Sequence, residues 1–251
     1  GSVALRSRQV TCCFFVMLPN MSLIQKSFRR LHYPVDIIAQ CVSWYLAYSL
    51  SLRNLEEMMA ERGIIVDHST LHRWVIRMVP RLDRAFRRCK RTVGRRWRMD
   101  ETSIKVKGEW KYLYRAVDTD GQTIDFLLTA KRDAAAALRF FRKAMRHHGE
   151  PEVVTIDKSG ANTAALTILN AGKSADGSIR VRQSKHLNNL VEQDHRNIKR
   201  RIRPMLGFKS FRRTQTILAG IELMHMIRKG QFHHSANSEL SPAEQFYLLA
   251  V

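Results

Sequence analysis

Residues 97 to 129 restrict the possible folds more than any other stretch. Trp97 to Val106 reads as a strand, and the turn Lys107-Gly108-Glu109 follows it. From Trp110 to Val117 the apolar residues alternate, with Trp110, Tyr112, Tyr114 and Ala116 on one side. Asp118-Thr119-Asp120-Gly121 is a hairpin turn, and Thr123 to Thr129 returns as a third strand. Such a meander buries one face or both only if other elements cover it. Arg132 to His147 supplies an Ala-rich helix with Ala136, Leu138, Phe140, Phe141 and Met145 apolar. Glu152 to Asp157 is a short, continuous apolar strand of the buried parallel type. Ala161 to Leu169 is a helix, Ile179 to Arg182 a strand, Leu187 to Ile202 a helix, and Phe211 to Lys229 a long final helix. This order predicts an α/β, ribonuclease-H-like domain, a mixed five-stranded sheet with flanking helices whose first and fourth strands lie side by side.

Three carboxylates fall where that fold brings them together. Asp100 lies in the first strand, Asp157 closes the fourth, and Glu192 sits in the helix that faces them. Carboxylates held that close repel one another, so the site calls for divalent cations. Oxygen-only ligands select hard ions, Mg²⁺ or Mn²⁺. Two ions about 4 Å apart clamp the attacking and leaving oxygens of an in-line phosphoryl transfer. Each acid has a rival reading. Glu101 competes with Asp100, and strand alternation lets only one of the two face the site. Asp157 could cap the next helix. Asp194 competes with Glu192 from about 200° around the helix. Asp118, Asp120 and Asp125 read as turn and edge residues.

Charge names the class of partner. The 251 residues carry 43 Lys+Arg against 22 Asp+Glu, a net +21, which points to a polyanion and first to double-stranded DNA. A hydrophobic content of 45% supports a packed core and argues against global disorder. From Arg196 to Arg213 there are eight basic residues and no acid. Arg196, Lys199 and Arg203 fall near the Glu192 face at helical spacing and can hold phosphates; Asn188 can orient one. Cys12, Cys13, Cys41 and Cys89 form no CxxC pair and read as reduced thiols of a cytosolic protein. The apolar run Val10 to Leu18 is too short to cross a bilayer, so no membrane is expected.

Ahead of the sheet the periodicity is helical. Ile37, Ile38, Cys41, Val42, Tyr45 and Tyr48 mark one face. Ser51 caps a second helix that ends at Gly63, and a third begins at Asp67-His68-Ser69-Thr70 with Leu71, Trp74, Val75 and Met78 inward. The pair reads as a helix-turn-helix that points Ser69, Thr70, His72, Arg73 and Arg77 at a major groove. An ordinary three-helix bundle is the alternative. Arg77 to Arg98 then holds ten Lys/Arg against one acid, Asp83, and reads as a solvated tract. The expected organisation is an extension of no assigned role at 1–20, a helix-turn-helix domain at 30–80, a basic linker at 81–96, a catalytic domain at 97–232 and a tail at 233–251.

The sequence resembles insertion-sequence transposases of the DDE class, most closely the IS6 family. The resemblance rests on Val66-Asp67-His68-Ser69-Thr70 with Arg73-Trp74, Met99-Asp100-Glu101-Thr102, Tyr112 to Asp118 and Ile156-Asp157-Lys158. Asn188-Asn189 through Glu192-Gln193-Asp194-His195 and Leu206-Gly207-Phe208-Lys209-Ser210 complete it, and Asp157 and Glu192 are separated by 34 residues. It implies that Asp100, Asp157 and Glu192 are the metal-binding triad and that Lys199 contacts terminal DNA, with Lys158 beside the second acid. It also implies cleavage at terminal inverted repeats to free a 3′-OH, joining to target DNA with a replicative cointegrate as the outcome, and a homodimer or higher assembly in the bacterial cytoplasm at the nucleoid. A helix-turn-helix regulator without catalysis, a domesticated transposase, or a structure-directed nuclease on the same fold are the alternatives.

Overall fold

A computed structural model describes residues 33–157, 160–174, 177–184, 189–205, 207–233 and 240–250; the 1–20 extension lies outside them. Helix α1 (Val35–Ala47) buries Ile38, Cys41, Val42 and Tyr45. Burial pushes the free Cys41 thiol up to about 11. Helix α2 (Leu52–Ala60) starts with a capping box: the Asn54 N–H donates to Ser51 Oγ at 3.1 Å, and the Ser51 N–H donates to Asn54 Oδ1 at 3.0 Å. Helix α3 (His68–Cys89) is capped by Asp67, whose carboxylate accepts the Ser69 and Thr70 N–H groups at 2.9 and 3.0 Å.

Helix α3 corrects one expectation. Residues 81–89, expected as the first part of a linker, are its second half. Pro80 is exposed and the apolar stripe runs past it, burying Leu71, Trp74, Val75, Met78, Val79, Leu82 and Phe86. The basic residues that suggested a solvated tract lie on the other side of the helix or are paired. Arg87 donates to Asp83 at 2.9 Å and to the buried Asp125 at 3.5 Å. The chain beyond the helix is also held, with Lys90 Nζ donating to the Ile124 carbonyl at 2.6 Å and the Arg91 N–H to the Gln231 carbonyl at 2.8 Å.

Strands β1 (Arg96–Val106), β2 (Glu109–Val117) and β3 (Thr123–Thr129) form the expected antiparallel meander. Its first turn is two residues, Lys107 and Gly108, both at positive φ (51° and 81°), as a tight hairpin requires. Strand β4 (Val153–Ile156) pairs parallel with β1, and β5 (Arg180–Gln183) parallel with β4, giving the order β3-β2-β1-β4-β5. The expected ribonuclease-H-like sheet is present.

Helices α4 (Ala134–His148) and α5 (Gly160–Asn170) cover one face, where Phe140, Phe141 and Leu166 meet Trp97, Met99, Tyr114 and Ile156. Ile104, Val106, Leu113 and Phe126 face the other way. They share one core with α6 (Asn189–Ile202), α7 (Phe211–Arg228) and the amino-terminal helices. Gly220 of α7 marks the closest approach: a Cβ there would fall 2.6 Å from Leu46 Cδ2 and 2.9 Å from Val79 Cγ2. The expected tail carries helix α8 (Pro242–Leu249), opened by a Ser241/Glu244 capping box and anchored by the buried Phe246.

Candidate active site

The last parallel pair between β1 and β4 joins Arg98 to Thr155. Two residues further along both strands stand Asp100 and Asp157, so the pleat sets them level at the carboxyl end of β4. Asp100 shares its face with Ile104 and looks towards α6, where its carboxylate lies 3.6 Å from His195 Nε2. Burial, then the charge of Glu101, with Asp157 and Glu192 adding, pushes the Asp100 carboxyl up to about 6. The negative charges of all three predicted acids therefore act on one point. His195 is buried, which lowers its pKa to about 3 and leaves the ring neutral at pH 7.

Glu101 points to the opposite face and is 2% exposed there, against 20% for Asp100. It is paired with Arg132 Nε and accepts from Asn162 Nδ2 at 3.0 Å. The same two residues reach Asp157, with Asn162 Nδ2 3.4 Å from Oδ1 and Arg132 Nη2 3.6 Å from Oδ2. Glu192 lies in the first turn of α6, 45% exposed, with Arg196 Nη2 3.5 Å from its carboxylate.

Asp194 is a different kind of acid. It is 7% exposed and meets Arg115 Nη1 at 2.9 Å, Lys229 Nζ at 2.6 Å and His225 Nε2 at 2.8 Å. Burial opposes its charge, but the His225 contact and the charges of Arg115 and Lys229 hold its carboxyl well below the usual range. Arg115 is fully buried and is also paired with Glu222. This network fastens α6 to β2 and α7, so Asp194 is committed to structure while Glu192 stays at the surface.

In this arrangement two of the three acids rest on cations of the chain itself, Asp157 on Arg132 and Glu192 on Arg196. Among the described residues no three His, Cys, Asp or Glu side chains stand together as a ready-made metal site. The donor set nevertheless fits a hard divalent cation. It is all oxygen, and Asp100, raised first by burial and then by the acids around it, is a carboxylate that a dication would stabilise in its charged form.

The predicted DNA contacts fall in two groups. Arg196, Lys199 and Arg203 are exposed along α6 and just beyond it. On α3, Arg73 and Arg77 are exposed, whereas His72 is half-buried, its pKa lowered by burial and then by the charge of Arg213. The Ser69 and Thr70 hydroxyls donate to Asp67, and Arg73 Nη2 donates to Thr70 Oγ1 at 2.7 Å. Lys158 and Asn188 lie outside the described residues. Arg132, Asn162 and His195 are site residues that the sequence reading missed. Only the sheet and its helices bring them to the acids.

Residues 94–231 match a family profile described as a DDE domain. Over 203 residues, 80% of this chain and 88% of the relative, the sequence is 37% identical to the transposase for insertion sequence-like element IS431mec of Staphylococcus aureus strain Mu50. The chain belongs to the IS6 family of DDE transposases. The same identity and coverage relate this transposase to that of insertion sequence element IS257 in transposon Tn4003, also from S. aureus. Among solved structures, the HTLV-2 integrase catalytic core domain in complex with magnesium (dimeric form) is similar at a TM-score of 0.42 and 19% identity, covering 58% of this chain and all of that one. The BIV integrase catalytic core is similar at 0.40 and 14%, covering 62% and 95%. Among the described residues of the transposase, no helix is long and apolar enough to cross a membrane.

Proposed function

We propose that Asp100, Asp157 and Glu192 are the catalytic and metal-binding triad, and that they hold two Mg²⁺ or Mn²⁺ ions. When bound, these ions supply charge neutralisation and Lewis-acid polarisation at the scissile phosphate. What supports the reading above all is the register that sets Asp100 and Asp157 level on adjacent parallel strands, with Glu192 in the first turn of the helix that Asp100 faces. The reaction is cleavage at the terminal inverted repeats to give a 3′-OH, followed by joining of that end to target DNA, with a cointegrate as the replicative product.

The chain's own groups bind and orient the DNA. Arg196, Lys199 and Arg203 present exposed cations beside Glu192 and take the phosphates of the strand being cut. Lys158 and Asn188, next to the triad in sequence, position the scissile phosphate. Ser69, Thr70, His72, Arg73 and Arg77 open α3, the second helix of a helix-turn-helix that reads the terminal repeat. Two ends must meet, so the working form is a homodimer or a higher assembly acting on nucleoid DNA in the cytoplasm.

A strand-transfer assay with Mg²⁺ and inverted-repeat ends tests this. Wild type should yield joined products, and Glu192→Gln should abolish joining while leaving end binding nearly intact. Joining by the variant, or cut but unjoined ends from the wild type, would overturn the proposal.

A further inference from the structure

The face of the sheet opposite α6 carries a second feature that the triad does not use. A cavity of about 390 Å³ opens there, lined by Glu101, Thr102, Ser103, Trp110, Tyr112 and Arg132. That volume is within the range of small-ligand pockets, about 300–1,000 Å³. The β1–β2 ribbon builds it. Beyond Asp100, β1 runs on past the end of β4 and carries β2 with it, and the register pairs Ser103 with Tyr112 and Lys105 with Trp110.

Trp110 is 58% exposed, with the Lys105 ammonium 5.9 Å from its ring centroid. A single exposed aromatic residue is ordinary. This one stands beside a recess that also offers a second aromatic ring, the Ser103 hydroxyl, a guanidinium and a carboxylate. The rim is basic on this face, where the Lys105 ammonium stands beside Trp110 and Arg132 lines the wall. Arg132 joins the recess to the triad, because the side chain that lines the cavity also reaches Asp157 at 3.6 Å.

A flat π-face, hydrogen-bonding groups of both kinds and a cationic rim suit a nucleobase on a polyanionic strand. A base inside a duplex is stacked on both sides and cannot enter, so the occupant has to be unpaired. We propose that this pocket takes one unpaired nucleobase of the DNA strand that passes the carboxylates, stacked on Trp110 and met at its edge by Arg132 and Ser103. The role assigned to that base, to hold the strand beside the scissile phosphate, rests on the phosphoryl-transfer reading above.

Fluorescence anisotropy of the full chain, without divalent ions, tests the pocket. The probes are a blunt duplex and the same duplex with a short single-stranded thymidine overhang. Wild type should bind the overhang probe about tenfold tighter, the scale of one base on an aromatic face. Trp110→Ala should reduce the preference to about twofold or less; Trp110→Phe should keep most of it, and Glu192→Gln all of it. No preference in the wild type, or an undiminished one in Trp110→Ala, would overturn the pocket. The two proposals fail separately. A wild type that joins ends without preferring the overhang loses the pocket alone. One that prefers the overhang but never joins loses the transfer chemistry alone.

Discussion

Asp194 and Glu192 stand two residues apart on one helix, and replacing each with alanine should have opposite consequences. Asp194 holds three partners at 2.6–2.9 Å in a buried cluster. Its formal charges balance, with Arg115 and Lys229 against Asp194 and Glu222, while burial, the larger effect, lowers the His225 pKa and keeps that ring neutral. Asp194→Ala leaves one buried positive charge uncompensated, a change that costs about 3–5 kcal/mol. At about 2–4 °C per kcal/mol for a chain of this size, Tm should fall by about 6–20 °C. Glu192 is 45% exposed, with Arg196 at 3.5 Å, and such pairs contribute about 0–1 kcal/mol. Glu192→Ala should therefore move Tm by less than about 4 °C. Thermal unfolding followed by far-UV circular dichroism at neutral pH measures both. Equal shifts, or the larger shift in Glu192→Ala, would refute this division of labour. Because the folded Asp194 carboxyl is depressed, its contribution is complete above the unfolded value of about 3.9 and fades as pH falls further. The gap between wild type and Asp194→Ala should accordingly narrow in acid.

Three further outcomes are expected. Asp100 is raised to about 6, so its ionised form weakens the metal-free fold above that pH, and Asp100→Asn should stabilise by on the order of 1–3 kcal/mol at pH 8 but much less at pH 4. Urea unfolding at the two pH values checks this, and equal gains would contradict it. Gly220→Val should cost about 1–3 kcal/mol, since a Cβ would meet Leu46 and Val79 at under 3 Å; an unchanged urea midpoint would show that the helices can part. Phe86→Ala should cost about 3–5 kcal/mol and the exposed Arg84→Ala less than about 0.5. Equal small effects would return residues 81–89 to the status of a linker.

The meander was legible because Trp110, Tyr112, Tyr114 and Ala116 alternate, and β4 because Val153 to Ile156 is an unbroken apolar run. The placing of Asp100 and Asp157 followed from that order alone. Helix α3 was misjudged past Pro80 because its arginines outnumber the buried Leu82 and Phe86 that carry the stripe onward. Charge density is a property of the exposed face and says nothing about the hidden one. Helix α8 was missed although Ser241 and Glu244 spell a capping box, a signal readable in the sequence. Alternation stated that only one of Asp100 and Glu101 could face α6. It could not show that Glu101 would be bound by Arg132 and Asn162, which arrive from distant parts of the chain.

Helix α3 has 22 residues and is therefore about 33 Å long, close to ten base pairs of B-form DNA. Its far end is embedded in the packing that also seats the sheet, so it works as a strut and not as a tether. Any duplex gripped at its first turn would be presented to the rest of the molecule at a fixed reach and a fixed helical phase. Lengthening the strut would then do more than add distance: it would turn a different side of the double helix towards the acids.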